Sequence, residues 1–155
     1  FVASAGHFYG ALGADTFVQE HPDIVARARL SVTVEHVGAK DFGGQEGTLE
    51  DLGRLQIRGF FVSPVGNLIE ESIAATKRHD LRRALVLRVD ALGGGPPGEA
   101  LGFYKAGIPC VQYISGPDYL LTIKDTWDKA DLSDVPAVAG ALIDIIDRAS
   151  TRPSS

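Results

Sequence analysis

The sequence predicts an α/β domain folded as a three-layer sandwich with a mostly parallel central sheet. Short apolar segments rich in β-branched residues alternate with amphipathic helical segments, and the connections between them are short. The chain has 155 residues, of which 45% are hydrophobic and 23% charged. This length and composition indicate one globular domain with its own core. We therefore expect a single domain over residues 1–150 and a frayed polar tail over residues 151–155.

The first half of the chain alternates predicted strands and helices. Residues 30–37 alternate in the manner of a strand, and proline stands where two helices would begin. The predicted elements are a strand at 1–5, helices at 10–20 and 22–27, a strand at 30–37, a loop or ribbon at 38–53, a strand at 55–62, and a helix with Ser63 as its N-cap and Pro64 in its first turn.

The second half continues the alternation. We predict a strand at 84–89, a loop at 93–98, a helix at 99–106, a buried strand at 108–114, and a last helix capped by Ser133 or Asp134. Loops that leave the C-terminal end of a strand commonly carry the chemistry of α/β proteins. Asp118 and Tyr119 follow the buried strand. They are therefore candidates for substrate binding.

Charge and composition exclude several classes of function. The net charge is −5 and no basic stripe is present, which argues against a nucleic-acid or anionic-membrane partner. No apolar run reaches the ~20 residues that span a membrane, so we expect a soluble protein of undetermined compartment. Cys110 is the single cysteine, which excludes an internal disulfide, and its apolar surroundings indicate a buried, unreactive thiol.

Other sequence patterns do not support a function. The glycine-rich segment 93–98 lacks the spacing of a dinucleotide or phosphate loop, and no Gly-x-Ser-x-Gly elbow is present. The aspartates at 118, 125, 128 and 131 do not follow the EF-hand spacing. We expect Asp125 to cap the turn after its loop, and Trp127 to pack against the domain.

Three segments together resemble a known family of enzymes. They are residues 6–13 (GHFYGALG), 32–38 (VTVEHVG) and 121–129 (LTIKDTWDK), with Gly107, Ile108 and Pro109 shortly before the third. In order and spacing the chain resembles the C-terminal half of the co-catalytic zinc exopeptidases. These include zinc aminopeptidases, glutamate carboxypeptidases and the protease-like domain of the transferrin receptor. The chain contains no methionine and opens inside an apolar run, so we expect it to be incomplete at its N-terminus.

The resemblance implies a zinc-exopeptidase-like fold and assigns roles to particular residues. In the family, two zinc ions share a carboxylate and hydrolyse a peptide bond with the help of a glutamate base. The general-base position falls on His7 and one acidic metal ligand on Glu35. Two further ligand positions fall on Phe8 and Leu121, whose side chains have no lone pair for zinc. The family's remaining histidine and bridging aspartate would lie upstream of residue 1.

The resemblance therefore leaves two hypotheses about function. In the first, the domain has lost metal binding and peptidase activity, as in the transferrin-receptor branch, and serves as a structural or binding module without a cofactor. In the second, it is the C-terminal part of an active zinc-dependent aminopeptidase or carboxypeptidase. His7 is also open to a purely structural role as a hydrogen-bonded residue. Glu35 and His36 are neighbours on the predicted strand, so we expect them to point to opposite faces.

The expected loss of upstream strands also bears on partners. A sheet without those strands would expose an edge, and exposed edges pair with other chains. We therefore expect either a homodimer or a complementing N-terminal segment, with a peptide-like ligand as a further possibility.

Overall fold

A computed structural model describes residues 1–44 and 48–150, and the described residues form five α-helices and six strands. The helices are α1 (Leu12–Glu20), α2 (Pro22–Arg27), α3 (Leu68–Arg78), α4 (Ala100–Lys105) and α5 (Val135–Ser150). The strands are β1 (Ser31–Val34), β2 (Lys40–Gly43), β3 (Glu50–Leu55), β4 (Arg58–Val62), β5 (Ala84–Arg88) and β6 (Cys110–Ser115). The predicted tail at 151–155 lies outside the described residues, as does part of the segment predicted as a ribbon, residues 45–47.

The main sheet has four strands in the order β1-β6-β4-β5. Strand β6 pairs in parallel with β1 and antiparallel with β4, and β4 pairs in parallel with β5. The α/β class is therefore confirmed, but the sheet is mixed because the β4–β6 pairing is antiparallel. Strands β2 and β3 form a separate antiparallel ribbon, as expected for residues 38–53. The three-layer arrangement stays a prediction.

The hydrophobic core lies between the sheet and helices α3 and α5. The rings of Phe60 and Tyr113, paired across β4 and β6, meet edge to face with their centroids 5.4 Å apart. Helix α5 buries Val138, Leu142 and Ile145 at helical spacing against these strands. The apolar periodicity of the last helix therefore predicts these three buried residues, but Val135 and Ile146, predicted on the same face, are 39% and 42% exposed.

The predicted strand at residues 1–5 is wrong. These residues form no strand in the structure, and the carbonyl of Ala5 accepts a hydrogen bond from the amide of Gly13. A strand is stable only when a neighbouring strand satisfies its backbone groups. The described sheet ends at β1 on one side and β5 on the other, so this segment has no paired neighbour.

Two predicted boundaries also differ from the structure. Helix α3 begins at Leu68 and not directly after Ser63, because the Ser63 hydroxyl accepts a hydrogen bond from the amide of Cys110 at 2.9 Å and is fixed to the sheet. Strand β1 ends at Val34, three residues earlier than predicted. Its early end changes the direction of the two side chains that follow it.

A buried ion pair fixes the start of α5 against the sheet. The Arg58 guanidinium donates to the Asp134 carboxylate at 2.5 Å, and the Arg58 side chain is only 3% exposed. Asp134 stands directly before the first residue of α5 and is engaged with Arg58. The backbone amide of Ser133 instead donates to the carboxylate of Asp131 in the preceding turn.

Among the described residues, no helix has the length and apolarity needed to cross a membrane.

Candidate functional site

His7 lies in a single 3₁₀ turn between two glycines in the left-handed conformation. Gly6 has φ 78° and Gly10 has φ 77°, so the turn reverses direction at both ends. Glycine adopts this conformation without the strain that a side chain would introduce. The turn carries His7 towards the sheet, whereas Phe8 and Tyr9 are largely exposed.

Two glutamates meet the imidazole of His7. Its Nδ1 lies 2.8 and 2.9 Å from the carboxylate oxygens of Glu99 and 3.4 Å from Oε2 of Glu35. Glu99 stands immediately before α4, and Glu35 follows the end of β1. The cluster is partly buried, with side-chain exposures of 29% for His7, 10% for Glu35 and 15% for Glu99.

Glu35 is held at the surface of the sheet by its other oxygen. Its Oε1 accepts a hydrogen bond from the Gln112 side chain of β6 at 2.7 Å, whereas its buried Oε2 makes no hydrogen bond. The glycine at position 98 has φ 61° and lies against this carboxylate, so that a Cβ atom there would overlap Glu35. The backbone of the glycine-rich loop therefore fits closely around the carboxylate.

His36 joins the same cluster, contrary to the prediction that it points away from Glu35. Strand β1 has already ended, and His36 has φ 53°, so the alternation of side chains in a strand no longer applies. Its Nδ1 donates to the carbonyl of Ser115 at 2.7 Å, and the Ser115 hydroxyl donates back to the carbonyl of His36 at 2.6 Å. The imidazoles of His36 and His7 are 6.0 Å apart between centroids.

The cluster shifts the pKa values of the two glutamates in opposite directions. Burial raises the pKa of Glu35, and the neighbouring Glu99 carboxyl raises it further, although the hydrogen bond from Gln112 lowers it. Burial also acts to raise the pKa of Glu99, but its hydrogen bond with His7 and its contact with the Glu35 carboxyl outweigh this effect, so the pKa of Glu99 is lowered. Glu99 therefore stays ionised to a lower pH than Glu35 does, and its carboxylate accepts a hydrogen bond from His7 Nδ1.

The structure brings together His7, Glu35 and His36 as potential metal ligands. One ligand atom from each lies within 4.8 Å of the others. Sequence reasoning identified His7 and Glu35 through the resemblance but did not identify Glu99. His7 and Glu99 are separated by 92 residues, and no local pattern links them. Glu99 directly follows the glycine-rich loop at 93–98, and this loop is the one nearby sequence feature that could have drawn attention to it.

Phe8 and Leu121, at two of the family's ligand positions, present hydrocarbon side chains to solvent. Phe8 is 61% exposed and packs edge to face against His7, with their centroids 4.6 Å apart. Leu121 is 65% exposed and has φ 67°. Neither side chain offers an electron pair to a metal ion.

The loop candidates occupy different environments. Tyr119 is 4% exposed, and its hydroxyl lies 3.1 and 3.2 Å from the carbonyls of Lys40 and Lys129. Asp118 is exposed, and among the described residues no hydrogen bond or ion pair joins either residue to His7. Their role in substrate binding stays a prediction. The expectation that Trp127 packs against the domain is wrong, because it is 76% exposed.

Comparison with known proteins places the fold more firmly than the function. No protein-family model matches the chain, and no curated protein matches it in sequence. Among solved structures the chain is similar to an aminopeptidase from Aneurinibacillus sp. strain AM-1, with a TM-score of 0.66 and 19% sequence identity. The match covers 98% of this chain and 33% of that aminopeptidase. The chain thus has an aminopeptidase-like α/β fold and spans about a third of the length of the protein it matches.

Proposed function

We propose that this chain is an aminopeptidase-like domain without peptidase activity that serves as a structural or binding module. The observation that carries the proposal is the pair of hydrocarbon side chains, Phe8 and Leu121, at two ligand positions of the resembled zinc site. Two-metal hydrolysis needs both ions, because one polarises the substrate while the pair holds the attacking oxygen. A site without these ligands does not assemble that pair.

The remaining donors do not replace the missing ones. His7, Glu35 and His36 form one cluster, and one further carboxylate, Glu99, is engaged with His7. A co-catalytic pair needs a bridging carboxylate and private ligands on each side, which exceeds this set. The residues present therefore do not fit the two-zinc centre, and no step of hydrolysis is assigned to it.

Exposed apolar residues at two places in the chain support a binding role. Large apolar side chains are exposed on the turn of His7 and on the loop after β6. They are Phe8, Tyr9, Leu121, Ile123 and Trp127. Exposed apolar groups of this kind commonly mark interaction surfaces. A peptide-like ligand or a complementing segment of chain is the partner that this composition supports.

A second candidate function is that of a working zinc hydrolase. The observation in its favour is the donor set of His7, Glu35 and His36, because two imidazoles and one carboxylate also bind zinc in hydrolytic enzymes. In this alternative, the chain contributes to a metallopeptidase with ligands different from those of the resembled family.

Turnover separates the two functions. The chain, and any longer chain that contains it, is incubated with a chromogenic aminoacyl substrate, with and without added zinc. We expect no release of the chromophore above that of Glu35→Gln, which keeps the size of the side chain and removes its charge. An active zinc aminopeptidase, assayed in parallel, shows that the conditions support turnover. Chelator-sensitive release that Glu35→Gln abolishes would establish the hydrolase and contradict the proposal.

A further inference from the structure

We propose that His7, Glu35 and His36 bind a single divalent transition-metal ion, with zinc as the best match. The two imidazoles and the carboxylate offer ligand atoms within 4.8 Å of one another. The ligands of a tetrahedral zinc ion with bonds of about 2.0–2.2 Å lie roughly 3.4 Å apart. Because Nδ1 is the nitrogen of His7 that lies 3.4 Å from Oε2 of Glu35, the His7 side chain would have to rotate to bring its Nε2 to that spacing. The proposal holds whether or not the domain cleaves peptides.

Hydrogen bonds prepare both imidazoles for this role. Nδ1 of His7 faces a carboxylate and Nδ1 of His36 faces a backbone carbonyl, and each of these partners can only accept. Both Nδ1 atoms therefore carry the proton, which leaves Nε2 as the nitrogen with a lone pair. Metal-binding histidines characteristically donate their second nitrogen to a carboxylate or a carbonyl in this way. Glu99 is thus a positioning residue for His7, and Glu35 is the carboxylate that binds the ion.

Glu35 supplies the second, independent observation. Its side chain is nine-tenths buried, Oε1 accepts a hydrogen bond from Gln112, and the buried Oε2 makes no hydrogen bond, although Nδ1 of His7 lies 3.4 Å away. Leaving a buried carboxylate oxygen unpaired is costly, because it loses the hydrogen bonds that water would provide. A cation bound at Oε2 would remove that cost.

The donor set selects the class of metal. Imidazole nitrogen suits zinc and neighbouring transition metals, whereas magnesium and calcium require mainly oxygen ligands. Three protein ligands leave one tetrahedral position for water or for a group of a bound molecule. Among the described residues, the set contains no carboxylate that is free to bridge to a second ion, since Glu99 is engaged with His7. We therefore assign one ion to each chain.

Metal titration of the chelator-treated protein tests the site. Calorimetry with Zn²⁺ and visible absorption with Co²⁺ should each give one ion per chain, and Mg²⁺ or Ca²⁺ should not compete.

His36→Asn suits the left-handed backbone, which asparagine tolerates, and Glu35→Gln preserves the bond from Gln112. Each should weaken zinc binding by at least about 100-fold, and Glu99→Gln by about 10–100-fold, as expected when a group behind a metal ligand is altered. His21→Asn, which alters an exposed histidine outside the cluster, is the matched control and should bind as the wild type does.

A second measurement keeps the test valid if a variant fails to fold. In the wild-type protein, zinc should shift the imidazole nuclear magnetic resonances of His7 and His36 and leave those of His21 and His79 in place. Circular dichroism of the metal-free variants verifies their folding. The proposal is overturned by the absence of stoichiometric binding, by two ions per chain, by unchanged affinity in folded Glu35→Gln and His36→Asn, or by zinc shifts confined to His21 and His79.

Discussion

The ion pair between Arg58 and Asp134 is the most buried charge interaction described in the structure. Its removal should lower the free energy of unfolding substantially. Replacement of Asp134 by alanine leaves the Arg58 guanidinium buried without its carboxylate. Breaking a buried pair on one side commonly costs about 3–5 kcal/mol of unfolding free energy. We expect a loss in this range for Asp134→Ala in urea denaturation. Asp23→Ala, which breaks an exposed pair with Arg27, should cost about 1 kcal/mol or less. Equal losses in the two variants would contradict this account.

The glycine at position 98 provides a test of the fit around Glu35. Gly98→Ala introduces both backbone strain, because φ is 61°, and a Cβ atom that overlaps the Glu35 carboxylate. Gly93→Ala introduces similar strain at φ 69° but has open space around its Cβ. Left-handed strain alone costs about 1–2 kcal/mol. In urea denaturation we therefore expect Gly98→Ala to be clearly less stable than Gly93→Ala. If the two variants have the same stability, the loop does not constrain Glu35.

At the scale of single residues, sequence reasoning recovered only part of the candidate site. His7 and Glu35 were found because they occupy positions of a resembled motif. His36 was misplaced because the alternation rule was applied beyond the end of β1, where a positive φ turns the side chain back. Glu99 and Gln112 reach the site only through the packing of α4 and β6, and a single sequence does not encode such distant contacts locally.

Helices α3 and α5 are joined by a charge cluster whose contribution depends on pH. The Asp144 carboxylate accepts hydrogen bonds from Arg78 at 2.8 Å and from His79 at 3.1 Å, and these two partners, Arg78 first, lower the pKa of Asp144. A lowered carboxyl pKa stabilises the fold above the ordinary value of about 3.9, and this stabilisation is lost as the pH falls through the lowered pKa. Asp144→Asn removes the pH-dependent contribution.

We therefore expect the difference in urea midpoint between wild type and Asp144→Asn to be steady from pH 7 to about pH 5. It should shrink below about pH 4, where the wild-type carboxylate becomes protonated. Asp23→Asn, which neutralises a carboxylate of an exposed pair in α2, should show a smaller difference throughout. A difference for Asp144→Asn that stays constant down to about pH 2 would show that the cluster does not stabilise the helix pair.

At the scale of elements, the strands and helices that the fold buries were predicted better from sequence than the exposed segments were. Strand β6 and the centre of the buried face of α5 were predicted because their apolar patterns match what the fold buries, whereas Val135 and Ile146 at the margins of that face are exposed. The segment at 1–5 has the same apolar character but no neighbouring strand, so pattern alone misassigned it. Trp127 shows the same limit, since aromatic character predicts packing only where a surface is available to receive the ring.

At the scale of the whole molecule, the open edges of the sheet bear on association. In the sheet formed by the described residues, β1 and β5 are the edge strands, and each exposes a large apolar side chain, Val34 and Leu85. Unprotected edges favour pairing with another chain. We expect concentration-dependent dimerisation in sedimentation equilibrium, weakened by Val34→Lys or by Leu85→Lys, each placing a charge on one edge. Ile143→Lys, on an exposed face of α5, is the control and should dimerise normally. A wild-type protein that stays monomeric at high concentration would contradict the prediction.

Cys110 gives the central strand a chemical property that none of its neighbours has. It is the single cysteine of the chain, it is fully buried on β6 between β1 and β4, and its thiol lies 3.5 Å from the Ser63 hydroxyl. Burial raises the pKa of the Cys110 thiol, so that its reactive thiolate is scarce in the closed sheet. A thiol-modifying reagent therefore reacts chiefly with molecules whose sheet has opened. The rate of modification measures how often the centre of the fold opens, with no label introduced into the protein.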